Sequence, residues 1–259
     1  MKNLSKILAI AKENNLFWKN EFILISSSIL FTFITFMFTW NIWFVNDFKE
    51  MAYVSLIWLS YLIISNIAIA YFSIMSLSKD IEWKYIYFIL KSTNRLDYIL
   101  WKFLSIIFIS LKINFLFWII FLFFYKIAVW KLDLFIIYIP LFQLLETLVI
   151  ASFSILITFI AKNNIARIFI ILTFFLVWHV TYSVMNMINN WSITFWKIWN
   201  SIYWFFYKLY PNLEAFNVRD VILYNTSLTN TLISSTFYAF LWIFIFLYFW
   251  YRFFKKENL

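Results

Sequence analysis

The sequence predicts an all-α integral membrane protein with six transmembrane helices and both termini in the cytosol. Three observations predict it. Hydrophobic residues make up 65% of the 259 and charged residues only 13%, about half the ~25% of a soluble domain. The apolar residues fall into six runs, at about 22–39, 51–75, 103–125, 134–161, 165–187 and 232–251. Each is close to the ~17–25 residues that cross a bilayer as a helix. Lys and Arg are unevenly distributed: with the N-terminus inside, fourteen lie on cytosolic segments, six on outer ones, and Lys112 within a span. That bias orients the chain. Alternation of period two is absent, which argues against a β-barrel.

The elements follow in order. The first span, 22–39, has no short apolar region followed by a small-residue cleavage site, so it reads as retained. The fourth run exceeds the bilayer thickness and is expected to tilt. The whole chain reads as one membrane domain. It has no Cys and no low-complexity tract, and the inverted repeat of many carriers is missing. The net charge of +9 follows from the cytosolic Lys/Arg bias and anionic lipid, without nucleic acid.

Between the second and third spans, residues 78–103 hold eight charged side chains. Ser78 is expected to cap a short helix, with Asp80 and Glu82 in its first turn, where the helix dipole favours acids. Ile81, Tyr85, Phe88 and Ile89 would form its apolar face, with Lys84, Tyr87 and Lys91 on another. Asn94 caps a second helix that carries Arg95 and Asp97 and runs through Lys102 into the third span. Such a helix is either an interfacial anchor or a docking element for a cytosolic partner. The acids favour docking, because a lipid anchor has no need of them.

Glycine is absent and Trp occurs 15 times, where about 18 glycines are expected at ~7% usage. An AT-rich genome does not account for this. Eleven Ala remain, although Ala codons are as GC-rich as Gly codons, and the standard Trp codon UGG is itself GC-rich. Many of these Trp are therefore read as Gly encoded by UGA, as some bacterial lineages decode it. A glycine-free chain or an aromatic belt is the alternative, but Trp58 and Trp242 sit inside spans and Trp83 in the charged loop.

Here the sequence resembles a family, the ABC-2 type transporter permeases. Their loop between the second and third spans commonly reads acid-x-acid-x-Gly, then Ser-x-x-x-Arg, then Leu-Gly-Lys-hydrophobic. This chain has Asp80-Ile81-Glu82-Trp83 and Ser92-Thr93-Asn94-Arg95, each one residue shorter than the pattern, and Leu100-Trp101-Lys102-Phe103, which matches it with Trp101 at the Gly. Trp40-Asn41-Ile42-Trp43 with Asp47 resembles the turn after the first span. Trp178-His179 resembles a Gly-His in the fifth, and 210–217 resembles a Pro-Asn-x-x-x-Phe-Asn segment before the sixth. Trp recurs where the family has Gly. The resemblance implies an exporter's permease subunit, paired with a second permease copy and with a separate P-loop ATPase that binds ATP and Mg. Residues 78–100 would be the coupling loop, docking through Asp80, Glu82, Lys84, Tyr87, Lys91, Arg95, Asp97 and Lys102. It also implies that residues 3–18, with Leu4, Ile7, Leu8 and Ala11 on one side and Lys2, Lys6 and Glu13 available elsewhere, would be an interfacial elbow helix before the first span, and that the protein is a multi-pass one of a bacterial inner membrane.

This chain is not expected to hydrolyse ATP or to hold a cofactor. Recoding would turn 191–198 into Gly-x4-Gly-Lys-Ile, which lacks the Ser/Thr that a Walker A loop needs after its Lys. A membrane-embedded enzyme would have to rely on His179, the one histidine, and the chain has no Cys nucleophile. An ATP-independent carrier would use the charges inside the spans, Lys112 and Glu146. These two are expected to pair, either as a structural neutralisation or as a polar point on the translocation path. Otherwise Lys112 snorkels and Glu146 is protonated. If they pair, Glu146→Gln and Lys112→Met lose function singly and partly recover together. His179 reads as a buried neutral imidazole bonded to a neighbouring helix, or as a transport ligand. The aromatic-rich stretch 188–230 reads as an interfacial belt or an outer gate. Apolar span walls would suit a lipid, a hydrophobic peptide or a drug without naming one.

Overall fold

The computed structural model describes residues 49–82, 94–129, 138–161, 163–190, 201, 211–217 and 228–256. The expected interfacial helix 3–18, the first span and most of the stretch 188–230 lie outside these. All regular structure among the described residues is helical. The described residues form five long helices, α1 Lys49–Glu82, α2 Arg95–Val129, α3 Ile139–Ile160, α4 Asn164–Asn190 and α5 Leu228–Lys256, with a 3-10 turn at Leu213–Phe216 between α4 and α5. Three are long and apolar enough to cross a membrane: α2 over Arg95–Phe123, α3 throughout and α5 over Asn230–Lys255. These match the expected third, fourth and sixth spans.

Helix α3 is the centre of the bundle. Within the apolar window of each helix, 72% of α3 is buried, against 28% for α2 and 22% for α5. It packs on α1, α2, α4, α5 and the 3-10 turn. Its sequence allows this close approach through Ala151, Ser152, Ser154 and Thr158, all buried. The three hydroxyls donate to their own helix, to Val149 O, Ile150 O and Ser154 O at 2.7–2.8 Å. A buried hydroxyl with no water nearby finds its acceptor there, and the surface left to neighbouring helices is apolar. Helices α2 and α5 turn Phe108, Phe115 and Phe123, and Phe237, Phe240 and Phe244, outward, as lipid-facing sides do.

Pro140 opens α3, where its missing N–H and preset φ fit the first turn. Ala161 ends it in extended conformation. The chain then reverses within a short turn into α4, whose start is capped by Asn163 Oδ1 accepting from Ile165 N at 2.9 Å.

One boundary differs from expectation. Ser78 does not start a helix. Helix α1 continues through it to Glu82, two turns past the expected end of the second span. Nothing between residues 75 and 82 breaks a helix, and Leu77 and Ser78 are both buried against neighbours. Asp80 and Glu82 therefore ride the last turn of α1, the end where the dipole disfavours acids. Asp80 is compensated by Lys102 at 2.6 Å. The second half of the loop is as expected: Asn94 precedes α2, Asp97 lies in its first turn, and the helix runs unbroken through the span.

Five Trp have described side chains, and three of them, Trp118, Trp178 and Trp250, bury an indole N–H with no partner among the described residues. Buried indole donors usually find one. This favours the proposal that several Trp positions are glycine in the cell. We expect UGA at most of the 15 positions and an intact mass below that of the all-Trp chain. UGG codons at most of these positions would end the idea.

Candidate functional site

Two polar centres interrupt the apolar bundle. The first gathers the charged end of α1. Lys102 is 3% exposed and reaches Asp80 Oδ2 at 2.6 Å, Ser76 O at 3.2 Å and Ser76 Oγ at 3.3 Å. Tyr98 donates to the same Asp80 oxygen at 2.7 Å. Arg167, on the first turn of α4, donates to Ser78 Oγ, to Asn164 Oδ1 and, at 2.7 Å, to Ala161 O at the end of α3. Arg95 donates to Phe254 O and Lys255 O, both at 3.1 Å, on the last turn of α5, and lies over the Phe254 ring. A cation at a helix C-terminus meets its free carbonyls and the negative end of its dipole. All five long helices are thereby tied together at one end.

Three side chains expected to dock a partner are thus engaged within the chain. Lys102 is buried, Asp80 is shared by Lys102 and Tyr98, and Arg95 caps α5. Asp97 is half-buried on the first turn of α2. The side chain of Glu82, and Lys84, Tyr87 and Lys91 entirely, lie outside the described residues.

The second centre lies within the helices. Glu146 is fully buried on α3, 15 residues or about 22 Å from the α3–α4 turn at 1.5 Å per residue. Its Oε1 accepts from Asn66 Nδ2 of α1 at 2.6 Å and lies 3.0 Å from His179 Nε2 of α4. One turn along α3, Gln143 donates to Ser65 Oγ at 2.8 Å. Thr147, beside Glu146, meets Ser110 at 2.9 Å and Asn114 at 3.1 Å on α2. The Phe175 ring stands edge-on to the imidazole, 4.7 Å between centroids.

A segment between α4 and α5 completes this centre. Residues 211–217, which carry the expected Pro-Asn-x-x-x-Phe-Asn pattern, pack into the bundle with Leu213 and Phe216 fully buried. Asn212 caps the 3-10 turn by accepting from Glu214 N at 3.1 Å, and its own N–H donates to Tyr238 of α5 at 2.6 Å. Ser235 of α5 donates to Ala215 O at 2.8 Å. Asn217 holds Glu214 Oε2 at 2.8 Å, and Glu214 Oε1 lies 3.8 Å from His179 Nδ1.

The expected Lys112–Glu146 pair is not the arrangement found. Glu146 takes Asn66 and His179, and Lys112 is exposed. Ser110 and Asn114, four residues apart, share the face of α2 that meets α3, and residues two apart on a helix do not share a face. The expectation for His179 survives in part: it is bonded to a neighbouring helix, through Glu146. Asn66, Gln143 and Glu214 were missed. The polar spacing Gln143, Glu146, Thr147 was a readable stripe on α3, whereas nothing in the sequence brings Glu214 inward.

Compared with protein-family models, curated proteins and solved structures, the chain matches none.

Proposed function

We propose that this chain is the transmembrane permease subunit of an ABC-2 type exporter, with six spans and both ends in the cytosol of a bacterial inner membrane. In this reading it works as a dimer with two copies of a separate P-loop ATPase. ATP and Mg bind the ATPase, and this chain carries out no catalysis.

The observation that carries the reading is the construction around residues 83–94. That charged segment is flanked on one side by α1, held by Asp80–Lys102. On the other side is α2, whose first residue Arg95 grips the end of α5. Arg167 adds α3 and α4 to the same end. A push on the segment would reach every long helix through polar contacts and could not dissipate at one helix end. A lipid anchor has no use for such a linkage; a receiver of an ATP-driven stroke does. With Asp80, Arg95 and Lys102 engaged within the chain, the proposed docking set narrows from eight residues to Glu82, Lys84, Tyr87, Lys91 and Asp97.

Co-expression with the P-loop ATPase encoded nearest this gene tests the reading. The pair should co-purify. Lys84→Glu with Lys91→Glu should weaken capture roughly 10–100-fold, the effect of placing like charges at a complementary interface. An ATPase that fails to associate, with permease intact, would sink the proposal.

A further inference from the structure

We propose that Glu214, His179 and Glu146 form a proton path that enters at the Glu214 end and loads a proton onto Glu146 inside the bundle. The inference goes beyond the permease reading and does not depend on it. Three observations carry it. First, the exposure of the three side chains falls in line, from 24% for Glu214 to 15% for His179 and 0% for Glu146. Second, the carboxylates approach opposite ring nitrogens of one imidazole, at 3.8 Å to Nδ1 and 3.0 Å to Nε2. Imidazole can take a proton on one nitrogen and release it from the other. The 3.8 Å gap is one that a side-chain rotation or a bridging water closes.

Third, the inner end lacks a proton donor. Among the described residues, three buried acceptor atoms have no partner: Glu146 Oε2, Asn66 Oδ1 and Gln143 Oε1. Asn66 is bonded to Glu146, and Gln143 sits one turn before it on α3. A buried acceptor without a donor is costly. A proton on Glu146 Oε2 turns that atom from acceptor into donor, able to serve one of the two amide oxygens. An ionised Glu146 leaves all three unpaired.

The step balances. The transfer is written from the tautomer of neutral His179 that carries its proton on Nε2, facing Glu146. A proton that reaches Glu214 moves to Nδ1, breaking an O–H bond and making an N–H bond. The Nε2 proton then passes to Glu146 Oε1, breaking an N–H bond and making an O–H bond, and a half-turn of the carboxyl group carries it to the side of the unpartnered acceptors. Glu214 ends ionised, Glu146 protonated, and His179 as the Nδ1–H tautomer, reset by a ring flip or by the reverse transfer.

Other charges do not interrupt the line. From α1 the centre meets Ser65 and Asn66, and from α2 Ser110 and Asn114, all neutral. From α5 it meets Tyr238, bonded to Asn212. Lys102 and Asp80 are paired at the far end, Arg167 is held there by Ser78 and Ala161, and Lys112 is exposed. On the proposed topology the Glu214 end faces outward, so the path would let external pH act on the permease.

The full chain in lipid nanodiscs, followed by infrared difference spectroscopy after a jump from about pH 8 to about pH 5, tests this. We expect a protonated-carboxyl band that Glu146→Gln abolishes. Glu214→Gln should keep the band's amplitude and slow its rise roughly 100-fold, the usual reach of a positioned acid–base group. His179→Gln should do the same. If that variant misfolds, Glu214→Gln decides alone, because its side chain lies at the entrance. A band that survives Glu146→Gln, a Glu214→Gln trace at the wild-type rate, or a signal that follows sodium at fixed pH would each overturn the proposal. ATPase capture is read separately, so failure here leaves the permease reading standing.

Discussion

Asp80→Ala should destabilise the chain by about 3–5 kcal/mol, the cost of leaving a buried charge without its counter-ion. Lys102 is 3% exposed, and without Asp80 it keeps only the carbonyl and hydroxyl of Ser76. The partners are not equivalent. Asp80 is 16% exposed and has a second donor in Tyr98, so Lys102→Met should cost less, about 1–2 kcal/mol. Combining Asp80→Ala with Lys102→Met should recover part of the loss, because no unpaired cation remains. Reversible unfolding in mixed micelles reads all three. Strictly additive costs would mean that water reaches Lys102 and that the pair does not hold α1 to α2. The same variants bear on coupling. Asp80→Ala/Lys102→Met should still bind the ATPase through residues 83–94 yet transmit its cycle less well, since the tie from α1 to α2 is gone.

Much of the bundle was legible in the sequence. The apolar runs that became α2, α3 and α5 are long, and length against bilayer thickness needs no knowledge of neighbours. Asn94 and Asp97 announced the start of α2 because capping is a local matter. Ser78 misled for a related reason. Ser and acids in sequence resemble a helix start, but a helix already under way continues unless something stops it, and no breaker lies between Met75 and Glu82. The partners of the charged residues were less legible. Spacing shows which residues of one helix share a face, and not which helix lies against that face. Lys112 and Glu146 were matched by sign and depth, the only information available, while Asn66 and His179 held the positions that mattered. Arg95 and Lys102 looked like surface charges because the sequence does not reveal that α5 ends beside one and that α1 overlies the other. Glu214 was hidden most deeply, since it enters the bundle on a four-residue turn with no periodicity of its own.

Glu146 and His179 should show strong energetic coupling, and Glu146 and Lys112 almost none. Glu146→Leu removes the acceptor from both Asn66 Nδ2 and His179. Leaving two buried donors unpaired predicts a loss of about 2–5 kcal/mol. His179→Leu strands only one acceptor interaction, because Asn66 still holds Glu146 Oε1, and should cost about 1–3 kcal/mol. The double variant should cost less than the sum by about 1–3 kcal/mol, the range for side chains in one network. The cycle of Glu146→Leu with Lys112→Met should close within about 0.5 kcal/mol, as for sites on different faces that do not pair. These two cycles separate the arrangement found from the one that sign and depth suggested. Coupling between Glu146 and Lys112 as large as that between Glu146 and His179 would require α2 to be turned by roughly half a revolution, and Ser110 and Asn114 would then lose Thr147. The cycles also bear on transport. Asn66 on α1, Glu146 on α3 and His179 on α4 meet at one carboxyl group, so a change in its charge alters three helices at once. Glu146→Gln keeps the size of the side chain and removes only that charge, and should impair transport more than it impairs stability. Equal losses in both would reduce the centre to a structural tie.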